Sequence, residues 1–244
     1  MTARGLCALL VSLAACDAGG IDADAVQHGA HLYAGSAAAS PSKLNVYACK
    51  TCHSIGVTGS PGAGSKPTPK LPGAPLAGVM QRGRWWGGAE SDLLRAINAC
   101  RTQFMHAPKP WAATDTEARA LWAFLVNLPA GVTAPWPFTA VQVALDLPPG
   151  DANRGPQVYD AACRSCHGAA DSGQGRLAAR IPALPGAVVQ DHAGYSPTLL
   201  RVVFVEKVRH GSFFGYGGDM PPFSRTALSD ADLADLLTWF GLYD

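Results

Sequence analysis

The chain has 244 residues, 48% of them hydrophobic and only 15% charged, with 19 Lys and Arg against 18 Asp and Glu. A net charge of +1 gives no electrostatic footprint for nucleic-acid binding. The length suits two domains of about a hundred residues each better than one, and 27 glycines with 19 prolines make loops abundant.

Arg4 precedes an apolar run from Leu6 to Ala15. A run this short cannot span a bilayer, which takes about 20 residues, so residues 1–15 read as a secretory signal. The run ends in Leu13-Ala14-Ala15-Cys16, which resembles the box where bacterial lipoproteins are cut and lipidated. That resemblance implies a lipid on Cys16, a tether over 16–24 and a place on the periplasmic side of a bacterial membrane. Asp17, next to the lipidated cysteine, favours the inner membrane in some species. An ordinary signal cut near the same alanines is the alternative. Arg4 is the sole charge in the first fifteen residues, so without them the chain is formally neutral.

From residue 25 the chain reads as one pattern repeated, over 25–129 and 151–244. The first copy opens with Gly29-Ala30-His31-Leu32-Tyr33, and sixteen residues after Tyr33 comes Cys49-Lys50-Thr51-Cys52-His53. Cys-x-x-Cys-His is the attachment signature of c-type haem. The two thiols reach the two vinyl groups of the porphyrin, and the adjacent histidine presents its imidazole to the iron. Pro69-Lys70-Leu71-Pro72-Gly73-Ala74 follows, and Trp85-Trp86-Gly87-Gly88 is expected to edge the haem pocket. Met80 is expected in core or loop. Ser91 or Asp92 caps a helix through Leu93-Leu94-Arg95. Met105 stands 52 residues after His53 and is the candidate sixth ligand of the iron, with core packing as the bland reading. His106 and Cys100 compete with it. Thr114 and Glu117 form a capping box for the next helix, through Leu121-Trp122-Ala123-Phe124.

Residues 130–150 are a Pro-rich, semi-rigid linker, with Trp136-Pro137-Phe138 packing on a domain surface. The second copy opens with Gly155-Pro156-Gln157-Val158-Tyr159, and here Cys163-Arg164-Ser165-Cys166-His167 begins only four residues after the tyrosine. The first copy thus carries a twelve-residue insertion, Ala/Ser-rich at its start. Pro182-Ala183-Leu184-Pro185-Gly186-Ala187 matches the first proline segment. Ser196 and Pro197 start a helix through Leu199-Leu200-Arg201. Met220, followed by Pro221 and Pro222, stands 53 residues after His167 and is the second candidate axial ligand. Ser229 and Asp232 make a weaker capping box. His28 and His31 read as solvent-facing positions, and His192 and His210 as surface residues or propionate neighbours.

These residues resemble the class I dihaem cytochromes c from about residue 25 onward. The resemblance implies an all-α fold of two tandem class I cytochrome c domains, each wrapped around one covalently bound haem c. Cys49, Cys52, Cys163 and Cys166 would hold the haems, and His53, Met105, His167 and Met220 would ligate the irons. It also implies a crossing of the first and last helices at Gly29/Tyr33 and Gly155/Tyr159. A proline carbonyl, at Pro69 or Pro182, would accept the proximal imidazole N–H. The expected function is electron transfer with transient redox partner proteins and no nucleic acid. Of seven cysteines, four hold haems, Cys7 leaves with the signal and Cys16 takes lipid, which leaves Cys100. It reads as a buried small residue on its helix. Its segment also resembles dihaem thiosulfate dehydrogenases, in which such a cysteine ligates the catalytic haem, and that implies an oxidoreductase using Cys100 at the first haem. A dihaem peroxidase is the third reading, and two candidate methionine ligands argue against it.

Overall fold

Helices supply the regular structure of the described residues, and the one β-feature among them is an isolated bridge between Trp85 and Glu90. The structure, a computed structural model, describes residues 22–56, 68–131, 133–134, 146–213 and 218–243. The expectations for Cys7, Cys16 and Trp136-Pro137-Phe138 therefore lie outside the described residues. Among the described residues, no helix is long and apolar enough to cross a membrane.

The N-terminal half contains α1 (Ala23–Ala34), a single turn α2 (Cys49–Cys52), α3 (Leu93–Gln103) and α4 (Thr116–Val126). The C-terminal half contains α5 (Gly155–Ala162), the short α6 (Arg164–His167) and α7 (Gly186–Asp191), then α8 (Pro197–His210) and α9 (Asp230–Trp239). Side-chain caps mark several of these starts. Asp92 accepts from Arg95 N at 2.9 Å, and Ser196 accepts from Leu199 N at 3.2 Å with Pro197 in the first turn. Ser229 and Asp232 bond reciprocally at the start of α9. The expected box at Thr114 is not there. Asp115 is the N-cap of α4, in extended conformation, and its carboxylate accepts from Ala112 N instead.

Each half has its own hydrophobic cluster. In the first, α1 packs on α4, with Leu32, Leu121, Phe124 and Leu125 buried. In the second, α5 packs on α9, with Val158, Tyr159, Leu233 and Leu237 buried. Each fully buried leucine contributes about 1.5–3 kcal/mol. Both crossings run through a glycine. A Cβ on Gly29 would lie 2.1 Å from the Ala120 carbonyl oxygen, and one on Gly155 would lie 2.1 Å from Trp239 Cβ. Only hydrogen lets the backbones approach so closely.

The halves meet over a polar and aromatic surface. Lys70 pairs with Asp232 at 3.0 Å, and its backbone N–H donates to the Ala161 carbonyl. Phe213 stacks edge-on against both Trp86 and Phe104.

Candidate functional site

The α2 turn delivers Cys49, Cys52 and His53 to one side of a largely apolar cavity. Met105, at the end of the α3 segment, lines the same cavity, as do Leu93, Ile97, Leu121 and Leu125. Met105 is only 5% exposed, so its thioether faces protein rather than water. The sequence spacing thus unites His53 and Met105 in one pocket. Trp85, Trp86 and Gly87 line it too, and Met80 packs partly buried on the adjoining cluster.

The imidazole of His53 is fixed at one nitrogen. Nδ1 lies 2.7 Å from the Ala74 carbonyl oxygen, which places the proton on Nδ1 and leaves the Nε2 lone pair free. Burial keeps the ring neutral by lowering its pKa from 6.5, against the opposing pull of that carbonyl. Tyr33 donates to the His53 carbonyl at 2.7 Å, so α1 holds the other side of the motif. The carbonyl is therefore not that of Pro69. The C-terminal half repeats the arrangement: His167 Nδ1 lies 2.9 Å from the Pro182 carbonyl, as expected, and Tyr159 donates to Gly168 O at 2.9 Å. His167 is also buried, which lowers its pKa.

The five described cysteines are free thiols. Burial pushes Cys49 up to about 11 and Cys163 up to about 12, and it raises Cys52 and Cys166 as well. Cys100 also lines the first cavity, and burial, with Cys49 nearby, pushes it up to about 12. It lines the cavity from α3. His106 does not line the cavity: its Nε2 is engaged by Asp219 Oδ1 at 2.8 Å.

Met220 packs half-buried against the C-terminal cluster that includes Cys163. Its neighbours Pro221 and Pro222 line the first cavity, so this loop borders both halves. His28 and His31 are exposed, as expected. His210 is not a surface residue. It is 5% exposed at the end of α8, with Nδ1 hydrogen-bonded to Glu206.

Two contributors escaped the sequence reading. The insertion after Tyr33 forms a short 3₁₀ turn, Ser36–Ala39, whose Ala38 lines the cavity and accepts from Arg101 Nε at 2.7 Å. Arg101 itself is buried, with its guanidinium 3.5 Å from the centre of the Trp111 ring. The Ala/Ser-rich composition of the insertion carried no periodic signal for this role.

The cavity fits a haem. It is apolar, and it presents two free thiols and a neutral imidazole with one nitrogen committed to a carbonyl. It also holds an orphan: Trp85 Nε1 is buried and has no hydrogen-bond partner. A buried N–H costs about 1–3 kcal/mol when unpaired, and a carboxylate on the bound group would satisfy it.

Residues 150–240 match the family described as "Cytochrome C oxidase, cbb3-type, subunit III". Over these residues the chain is similar to a cytochrome c domain, a kind of domain that carries covalently bound haem c. No curated protein matches the chain. A solved structure of thiosulfate dehydrogenase (TsdBA) from Marichromatium purpuratum, in its as-isolated form, is similar with a TM-score of 0.40 at 16% identity. The similarity covers 89% of this chain and 45% of that one, so the chain spans less than half its length.

Proposed function

We propose that the chain is an exported dihaem cytochrome c that carries electrons between redox partners on the periplasmic side of a bacterial membrane, anchored by lipid on Cys16. The observation that carries this reading is the duplicated histidine geometry, with His53 Nδ1 on Ala74 O at 2.7 Å and His167 Nδ1 on Pro182 O at 2.9 Å. Two Cys-x-x-Cys-His segments thus each hold an imidazole in the tautomer a metal ligand needs. A haem bound at each site would supply a one-electron Fe(III)/Fe(II) couple.

Cys49 and Cys52 would hold one haem by thioether bonds, and Cys163 and Cys166 the other. Their protonated thiols persist at neutral pH until they are consumed in attachment. His53 and His167 would ligate the irons, with Met105 and Met220 as the candidate second ligands. The aliphatic wall of Leu93, Ile97, Leu121 and Leu125 excludes water, which favours the less charged reduced state and raises the potential. Contacts such as Lys70–Asp232 and Phe213–Trp86 hold the two sites at a fixed separation.

A second reading, a thiosulfate dehydrogenase-like oxidoreductase, is favoured by one observation: Cys100 lines the same cavity as His53 and Met105. With its pKa near 12, the thiol would ionise only on a metal. Intact-mass measurement and a potentiometric titration decide between the readings. The carrier gives two haem adducts, two one-electron waves and no reduction by thiosulfate. Reduction by thiosulfate that is lost in Cys100→Ser makes it the enzyme, and a single haem adduct contradicts both.

A further inference from the structure

Each candidate methionine ligand has a polar neighbour, and the two neighbours meet. His106 follows Met105, Asp219 precedes Met220, and His106 Nε2 lies 2.8 Å from Asp219 Oδ1 across a sequence separation of 113 residues. Asp219 has other partners from the structure around it. Its Oδ2 accepts from Arg180 Nη2 at 2.7 Å, and its backbone carbonyl accepts from Tyr47 Oη at 3.1 Å. Arg180 also donates to the Leu44 carbonyl at 2.9 Å. The approach to Met220 is therefore tied to the N-terminal half through main chain and side chain together.

Beyond the methionine the same loop belongs to its own half. Phe223 N–H donates to Val208 O at 2.8 Å, and Arg209 Nη1 donates to Phe223 O at 3.1 Å. Between these anchors, Pro221 and Pro222 complete the wall of the first cavity. On the other side, His106 adopts a left-handed backbone with φ +53°, a conformation unfavourable for a non-glycine residue. The Ala107 N–H on Arg101 O at 2.9 Å closes that turn while the ring reaches Asp219.

We infer that His106 and Asp219 are positioning residues whose hydrogen bond latches the two methionine loops into one unit, so that neither distal ligand position opens independently of the other. This rests on the dihaem His/Met reading above. A loop that must swing out to free its methionine pulls on the latch, and a coupling between two sites acts equally in both directions. The wall residues Pro221 and Pro222 make the link physical: displacing the Met220 loop also uncovers the first cavity.

Imidazole binding to the oxidised holoprotein tests this, because the added ligand takes the place of methionine at whichever iron opens. Absorbance and EPR resolve the two irons. His106→Ala and Asp219→Ala should each raise imidazole affinity at both irons, by roughly tenfold, the scale of one hydrogen bond to a charged group. The double variant should gain no more than Asp219→Ala alone, since that change already removes the bond His106 makes, together with the Arg180 contact. Asp219→Asn, which keeps an acceptor for His106, should recover most of the wild-type affinity at the iron of Met105. Effects confined to the mutated loop's own iron, or effects that add in the double variant, overturn the latch. Should Asp219→Ala fail to take up both haems, His106→Ala decides alone by its effect at the far iron, since its ring is 33% exposed and replaceable. A wild-type protein lacking two His/Met haems would sink the underlying reading instead, and spectra taken before imidazole is added tell the two failures apart.

Discussion

Gly73 stands against the imidazole of His53: a Cβ at Gly73 would lie 2.5 Å from the ring's Cε1 and 2.6 Å from Nδ1. The Gly73 N–H also donates to Cys52 O at 2.9 Å, so the glycine is pinned to the haem motif from both sides. Gly73→Ala must move the ring or the strap that carries Ala74, at a cost of about 1–3 kcal/mol. Its expected result is a displaced His53 and a high-spin fraction at the first haem, read by EPR, with the second haem unchanged. An unaltered spectrum would mean that the ring is not held where this contact puts it.

Gly29 and Gly155 test the helix crossings. On an exposed helix, Gly→Ala gains about 1 kcal/mol of propensity. Here the new methyl would sit 2.1 Å from Ala120 O or from Trp239 Cβ, and overpacking costs roughly 1–3 kcal/mol. Sterics should win at both sites, so Gly29→Ala and Gly155→Ala should lower the urea midpoint. A rise would show that the helices separate freely.

Met105 and Cys100 share the first cavity but have different expected consequences. Met105→Ala should remove the distal ligand, lower the potential of the first haem and leave the second wave in place. Cys100→Ser should leave both waves and the thioether-to-iron absorption unchanged. A Cys100→Ser variant that loses a ligand signal would instead assign the thiolate to iron.

Burial lowers the pKa of both His53 and His167 below 6.5. The native chain therefore declines protons that the unfolded chain binds. Their contribution to stability is complete above about pH 6.5 and is lost progressively as pH falls toward the depressed native values. Ligation to iron acts with the same sign, because a protonated imidazole must leave the metal. The urea midpoint should be lower at about pH 5 than at about pH 8, and the reverse order would contradict the neutral-imidazole assignment.

Much of this was legible in the sequence because it is local. The caps at Asp92, Ser196 and Ser229 need only a few consecutive residues, and the two Cys-x-x-Cys-His motifs fix the approach of each histidine. The carbonyl partner of His53 was misplaced for a definable reason. The bond closes a loop of 21 residues in the first half and 15 in the second, so matching proline segments by composition put the partner at Pro69 instead of Ala74. Asp115 displaced Thr114 because two adjacent residues can both cap and only the backbone angles choose between them. The bond between His106 and Asp219 has no sequence signature: it spans 113 residues and exists only where the halves dock.

What ligates the two irons decides the proposed function. Near-infrared magnetic circular dichroism with EPR on the fully oxidised protein measures this directly. The geometry at His53 and His167, with Met105 buried in the first cavity and Met220 in the loop that borders it, predicts two low-spin His/Met signals of equal intensity. A His/thiolate signal would move Cys100 onto the first iron and favour the oxidoreductase reading. A high-spin signal, or a single haem, would contradict the account outright.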